Sequence, residues 1–125
     1  MNTELQVDEA LIRAFHLMYD HFPEPAQLTH KSKQIVALNP ACKAIGREVG
    51  MMCIKHGPPE AHAGCLANKA IKNQTATWKT KPTTSLNEQT GVIFWLPVDG
   101  YPDFYIHFAV GYSKDYASTS EPQAK

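Results

Sequence analysis

The sequence has no excess of charge of either sign: 12 Lys plus Arg stand against 12 Asp plus Glu in 125 residues. Generic nucleic-acid binding draws on a positive excess, so no nucleic-acid partner is expected. No apolar run approaches the roughly 20 residues that span a bilayer, and no membrane association is expected either. The opening MNTELQVDEA is acidic and lacks the basic-then-apolar layout of a secretory signal, so the expected location is the cytoplasm. Cysteine is scarce and odd in number (Cys42, Cys53, Cys65), which does not read as a disulfide framework but as reduced thiols, buried or metal-bound. There is no Gly-rich phosphate loop and no Gly-x-Ser-x-Gly elbow. The acidic residues fall mostly at turns and termini without an apparent acid–base pair. The expectation is a protein that is not an enzyme, with a Cys–His pair assembled by folding as the catalytic alternative. No kinase, DNA-binding or cyclase signature follows, so any such output is expected from a separate partner protein, or from a longer chain of which this is a fragment.

The residues that are present describe one packed domain: 43% are apolar, and the length is that of a single unit. The zero charge hides a segregation. Residues 1–29 hold five acids against Arg13, a net of −4; residues 30–81 hold nine Lys or Arg against Glu48 and Glu60, a net of +7; residues 82–125 hold five acids against Lys114 and Lys125, a net of −3. A basic rim attracting an anionic ligand, or acidic and basic surfaces meeting in a dimer, are the functional readings of this pattern. A folded surface that simply mixes the segments is the other.

Periodicity predicts the elements. Leu11, Phe15, Met18 and Phe22 form one helical stripe within residues 1–22. Thr3 with Gln6 reads as a capping box, Asp8 and Glu9 suit the helix dipole, and Pro23 and Pro25 close the segment. Ala26 to His30 and Gln34 to Leu38 read as a hairpin; Asn39-Pro40 stops it and Ala41 to Ile45 forms a short helix. A helix from about Pro59 or Glu60 to Asn73 buries Ala63, Leu66, Ala67, Ala70 and Ile71. Strands follow at Thr75 to Lys81, Gly91 to Val98 and Phe104 to Tyr112, the last two joined through Asp99-Gly100-Tyr101-Pro102. Phe104, Ile106, Phe108 and Val110 face one way, and Tyr105, His107 and Ala109 the other; Val92, Phe94 and Leu96 likewise oppose Ile93 and Trp95. With both faces apolar, both must be covered, one by the short central helices and the other by the N-terminal helix. The whole is α+β, with an antiparallel sheet and a helical insert between strands two and three, a domain over 23–116 and a flexible tail over 117–125.

That order resembles the PAS domain, a five-stranded antiparallel sheet with short helices between its second and third strands. Gln34-Ile-Val-Ala-Leu-Asn39-Pro40-Ala41 resembles the PAS second strand running into its Asn-Pro-Ala helix start. Ile45-Gly46 resembles the helix end that follows, and Leu96-Pro97-Val98-Asp99-Gly100 resembles the turn into the last strand. The resemblance covers residues 22–114. It implies a sensory module with a small-molecule cavity between sheet and insert, and an N-terminal helix used as a homodimer contact through Leu11, Phe15, Met18 and Phe22. The implied cavity lining is Leu38, Cys42, Ile54, Leu66, Ile71, Phe94 and Phe108, with Trp78 and His107 as polar elements, for a small anionic or apolar ligand; a filled core without a ligand is the other outcome. Val49 to Cys65 looks like a bacterial PAS variant with a Cys after the Gly and a Cys-x-x-Cys downstream, except that His62 stands where the middle Cys would be.

Metal chemistry has its own candidates. Cys53, His56, His62 and Cys65 form two pairs at i, i+3, a donor set that suits Zn or iron–sulfur, or a thiol redox sensor. His107, on an aromatic strand, is a candidate haem ligand.

Overall fold

The structure is a computed structural model that describes residues 6–52, 65–82 and 90–111. Its elements run α1 (Glu9–Tyr19), β1 (Ala26–His30), β2 (Ile35–Leu38), α2 (Pro40–Ala44), α3 (Ala67–Asn73), β3 (Thr77–Pro82), β4 (Thr90–Val98) and β5 (Tyr101–Val110). The five strands form one antiparallel sheet in the order β2-β1-β5-β4-β3. The α+β architecture expected from the pattern is the one observed.

Several local expectations shift. The cap of α1 is Asp8, whose side chain accepts from the Ala10 N–H at 2.9 Å; the expected Thr3–Gln6 box involves Thr3, which lies outside the described residues. The turn between β4 and β5 is shorter than expected. Asp99 and Gly100 alone make it, Tyr101 already pairs with Val98, and Pro102 sits inside the strand. A two-residue hairpin needs a left-handed backbone, and Gly100 supplies it at φ +85°. A Cβ there would meet no atom within 4 Å, so Gly100→Ala is expected to cost only the conformational penalty, about 1–2 kcal/mol in chemical denaturation. Gly100→Asn should cost less, because Asn tolerates this region; equal losses for the two would overturn the assignment.

The alternation along the strands sorts side chains onto two faces. On the outer face Ala26, Leu28, Phe104, Ile106 and Phe108 pack with Leu11, Phe15, Ile12 and Tyr19 of α1. On the inner face Tyr105, Trp95 and Ile93 pack under Ala67, Ala70, Leu66 and Ile71 of the α3 region. Ile35 and Leu38 pack with Cys42 of α2 beside them. A bulge makes this possible in β2: Leu28 pairs with Ala37 and Thr29 with Ile35, which leaves Val36 as the extra residue.

Asn39 joins these layers. It is fully buried between β2 and α2. Its Oδ1 accepts from the N–H of Ala26 (2.9 Å) and of Cys42 (3.0 Å), the second being the N-cap bond of α2. Its Nδ2 donates toward the carbonyls of Tyr19 (3.1 Å), Phe22 (3.2 Å) and Glu24 (3.0 Å), which belong to the chain leaving α1. One side chain thus ties α1, β1 and α2 together. Close by, the buried Glu24 accepts from the Gly111 N–H at 2.6 Å, which fastens the end of β5 to the start of β1.

Candidate functional site

The inner face of β1 reads as polar from its sequence: Gln27 and Thr29 alternate with Ala26 and Leu28. An isolated hairpin would turn those two to water. In the folded sheet β1 is flanked by β2 and β5 and covered by α2, so Gln27 is 1% and Thr29 0% exposed. Buried polar groups need partners. Gln27 Nε2 donates to Thr29 Oγ1 at 2.9 Å, and Gln27 Oε1 accepts from Arg47 Nη1 at 2.5 Å and from Cys42 Sγ at 3.8 Å. Across the sheet Gln27 pairs with His107, whose ring lies flat on Trp95 with centroids 5.0 Å apart. His107 Nδ1 is 3.1 Å from the Phe94 carbonyl oxygen, which only accepts, so Nδ1 bears the proton. The inner face therefore combines a hydrogen-bonded Gln–Thr–Arg–Cys cluster, a tautomer-fixed histidine and an apolar wall of Trp95, Tyr105 and Ile35.

The expected cavity residues divide between the two faces. Leu38, Cys42, Leu66, Ile71 and His107 lie on the inner face or in the elements over it. Phe94 and Phe108 stack on each other, centroids 4.9 Å apart, on the outer face with α1, because even-numbered positions of β4 and β5 point there. Trp78 pairs with Phe94 on the edge strand and is 59% exposed. Ile54 lies outside the described residues. Gln27, Thr29, Arg47, Trp95 and Tyr105 were not among the expected residues. The signal for the first two was the polar alternation inside a strand that must be covered on both faces.

Of the expected metal ligands, Cys53, His56 and His62 lie outside the described residues. Cys65 is exposed and precedes α3, so it is not on the helix that was to align it with His62. Among the described residues no group of three or more His, Cys, Asp or Glu could hold a metal ion.

The outer face has an opening. A cleft of about 250 Å³ runs between Ala10, Ala14 and Met18 of α1 and the sheet residues Leu28, Val98, Tyr101 and Ile106. Leu11 and Phe15, expected at a dimer contact, are 7% and 1% exposed because they fill the protein's own core. Met18 at 65% and Leu17 at 83% remain in solvent beside the cleft, while Phe22 packs edge-on against Phe108. A polar latch holds the far end of α1: the Tyr101 hydroxyl donates to Asp8 Oδ2 at 2.7 Å.

That hydrogen bond, together with the Ala10 N–H, holds the Asp8 carboxyl below its ordinary 3.8 and raises the Tyr101 phenol. A carboxyl whose folded pKa is depressed contributes stability that is complete above 3.8 and is lost as pH falls through the folded value. Removing the hydroxyl in Tyr101→Phe is therefore expected to speed amide exchange in the first turn of α1 at neutral pH. The difference from the unmodified protein should shrink as the pH drops below 3.8. A difference that is unchanged at low pH would dismiss the latch.

These elements define a class of fold: helix, two strands, a helical insert and three strands in the order β2-β1-β5-β4-β3 make the PAS fold. The solved structures that resemble it say the same. The PAS domain from Bordetella pertussis BvgS superposes with a TM-score of 0.62 at 13% identity, covering 88% of this chain and 91% of that one. A sensory box sensor histidine kinase from Vibrio cholerae gives 0.59 at 12%, over 84% of this chain and 94% of that one. The LOV protein of Rhodobacter sphaeroides gives 0.58 at 18%, over 87% and 72%. No protein-family model matches the sequence, and no curated protein is similar to it.

Proposed function

We propose that the protein is a non-catalytic sensory module that binds a small molecule on the inner face of its sheet and works as a cytoplasmic homodimer, passing its state to a separate partner protein. The observation that supports this reading most directly is the placement of α1. It is packed on the outer face through Leu11 and Phe15, yet it leaves Leu17 and Met18 exposed next to an apolar cleft. A second copy's α1 laid along that cleft would cover Met18 and the adjoining apolar surface. Ligand contacts at Gln27, His107 and Trp95 are on β1, β5 and β4, whose opposite sides touch α1 or the surface beside it. A shift of the sheet on ligand binding therefore biases the helix pair. Two similar structures, the BvgS PAS domain and the sensory box sensor histidine kinase, point the same way.

Light scattering across a concentration series tests the dimer. The unmodified chain is expected to weigh twice its 13.9 kDa, and Leu17→Glu with Met18→Glu is expected to weigh 13.9 kDa with unchanged circular dichroism. A double variant that keeps the dimer mass would remove α1 from the interface.

A further inference from the structure

We infer that Arg47 is the anchor of an anion site on the inner face, which takes the carboxylate or phosphate of a small ligand. The inference rests on the inner-face binding proposed above and gives that ligand a chemical class.

Arg47 follows the end of α2 and its side chain turns inward to Gln27, on the central part of the sheet. The residue is half-buried and its Nε is enclosed by protein with no hydrogen-bond partner. A buried N–H without an acceptor is costly and rare, and commonly marks a missing water or ion. Among the described residues nothing compensates the charge: the ion pairs there are His16–Asp20 and Lys31–Asp103, and Arg47 belongs to neither. Its acceptor among the described residues is the neutral amide oxygen of Gln27, which already receives Cys42 Sγ. A guanidinium carries five N–H donors in a planar fork shaped for a carboxylate or phosphate, and one amide oxygen satisfies a single donor. A partly buried cation that lacks a carboxylate of its own favours an anion from outside, because the weakly solvated charge gains more from pairing there than at the surface. Arg47 also belongs to the stretch of sequence, residues 30–81, that carries a net +7.

The full-length protein supplies the test by thermal unfolding in sodium succinate, sodium phosphate or sodium chloride at matched ionic strength. Succinate or phosphate is expected to raise Tm saturably over chloride, by about 4 °C or more when the site is filled. The better of the two identifies carboxylate or phosphate as the source, and Arg47→Met is expected to abolish the rise. Equal Tm in all three salts, or a rise that survives in Arg47→Met, overturns the inference. A second arm needs no ligand. Gln27→Glu places a carboxylate on the guanidinium from within, so it should melt higher in chloride than both Gln27→Leu and the unmodified protein and should no longer respond to succinate or phosphate. A Gln27→Glu variant no more stable than Gln27→Leu also overturns it. Light scattering on the same samples separates the two readings: a dimer indifferent to both anions sinks the anion site alone, and a monomer that responds to them sinks the dimer alone.

Discussion

Asn39→Ala is expected to destabilise the protein by about 3–5 kcal/mol, measured by urea denaturation. The side chain is fully buried and touches five backbone groups, two as acceptor and three as donor. Removing it takes a buried partner from two N–H groups and from the carbonyls of Phe22 and Glu24, while the Tyr19 carbonyl keeps the Phe22 N–H. At roughly 1 kcal/mol for each bond lost, with two protons shared over three carbonyls, the sum falls in that range. Asn39→Asp is the sharper experiment. At an ordinary helix N-cap the two residues are nearly equivalent. Here Asp keeps the acceptor for Ala26 and Cys42 but turns its second oxygen toward the carbonyls of Tyr19, Phe22 and Glu24. It should be at least as destabilising as Ala. An Asp variant within about 0.5 kcal/mol of the unmodified protein would show that Asn39 only caps α2.

Phe15→Ala is expected to cost about 3–5 kcal/mol, the usual range for emptying a buried aromatic site. Phe15 is 1% exposed, stacks on Tyr19 with centroids 5.3 Å apart, and lies in the cluster that joins α1 to Ala26, Leu28, Val36 and Phe104. The loss belongs to the monomer's own core. It should therefore be the same at protein concentrations where the chain is monomeric and where it is dimeric, while Leu17→Glu should act only on the dimer. A Phe15→Ala loss that disappears on dilution would move this residue from the core to the interface. The pair of results separates the side of α1 that holds the helix to the sheet from the exposed side proposed to meet a second chain.

Much of the architecture was legible along the chain. Alternating side chains in Phe104 to Val110 and Val92 to Leu96 assigned both faces of the sheet, and the structure places them so. The first strand of the hairpin, Ala26–His30, appears with its expected bounds, and the second begins at Ile35, one residue later than expected. The turn after β4 was misjudged by two residues, since Tyr101 and Pro102 look like turn residues until a neighbouring strand pairs with them. The candidate site was legible only in part. Phe94 and Phe108 are as apolar as Trp95 and Tyr105, and hydrophobicity alone does not say which lie over the insert.

The sequence by itself determined the order of the elements, their alternation and the need to cover two faces, because these depend on residues close together in the chain. Tertiary structure alone decided what covers what. The stripe of α1 demanded a partner, and Leu11 and Phe15 find one in the protein's own sheet. Asn39 announced a helix start, but its bonds to Tyr19, Phe22 and Glu24 reach 15–20 residues back and have no local trace. Gln27 and Thr29 alternate like a solvent-facing strand until α2 covers them, and Arg47 was one charge of the basic stretch until the fold brought it to Gln27. Periodicity records that a side chain is buried; the identity and charge of the group that buries it are set by segments far away in sequence.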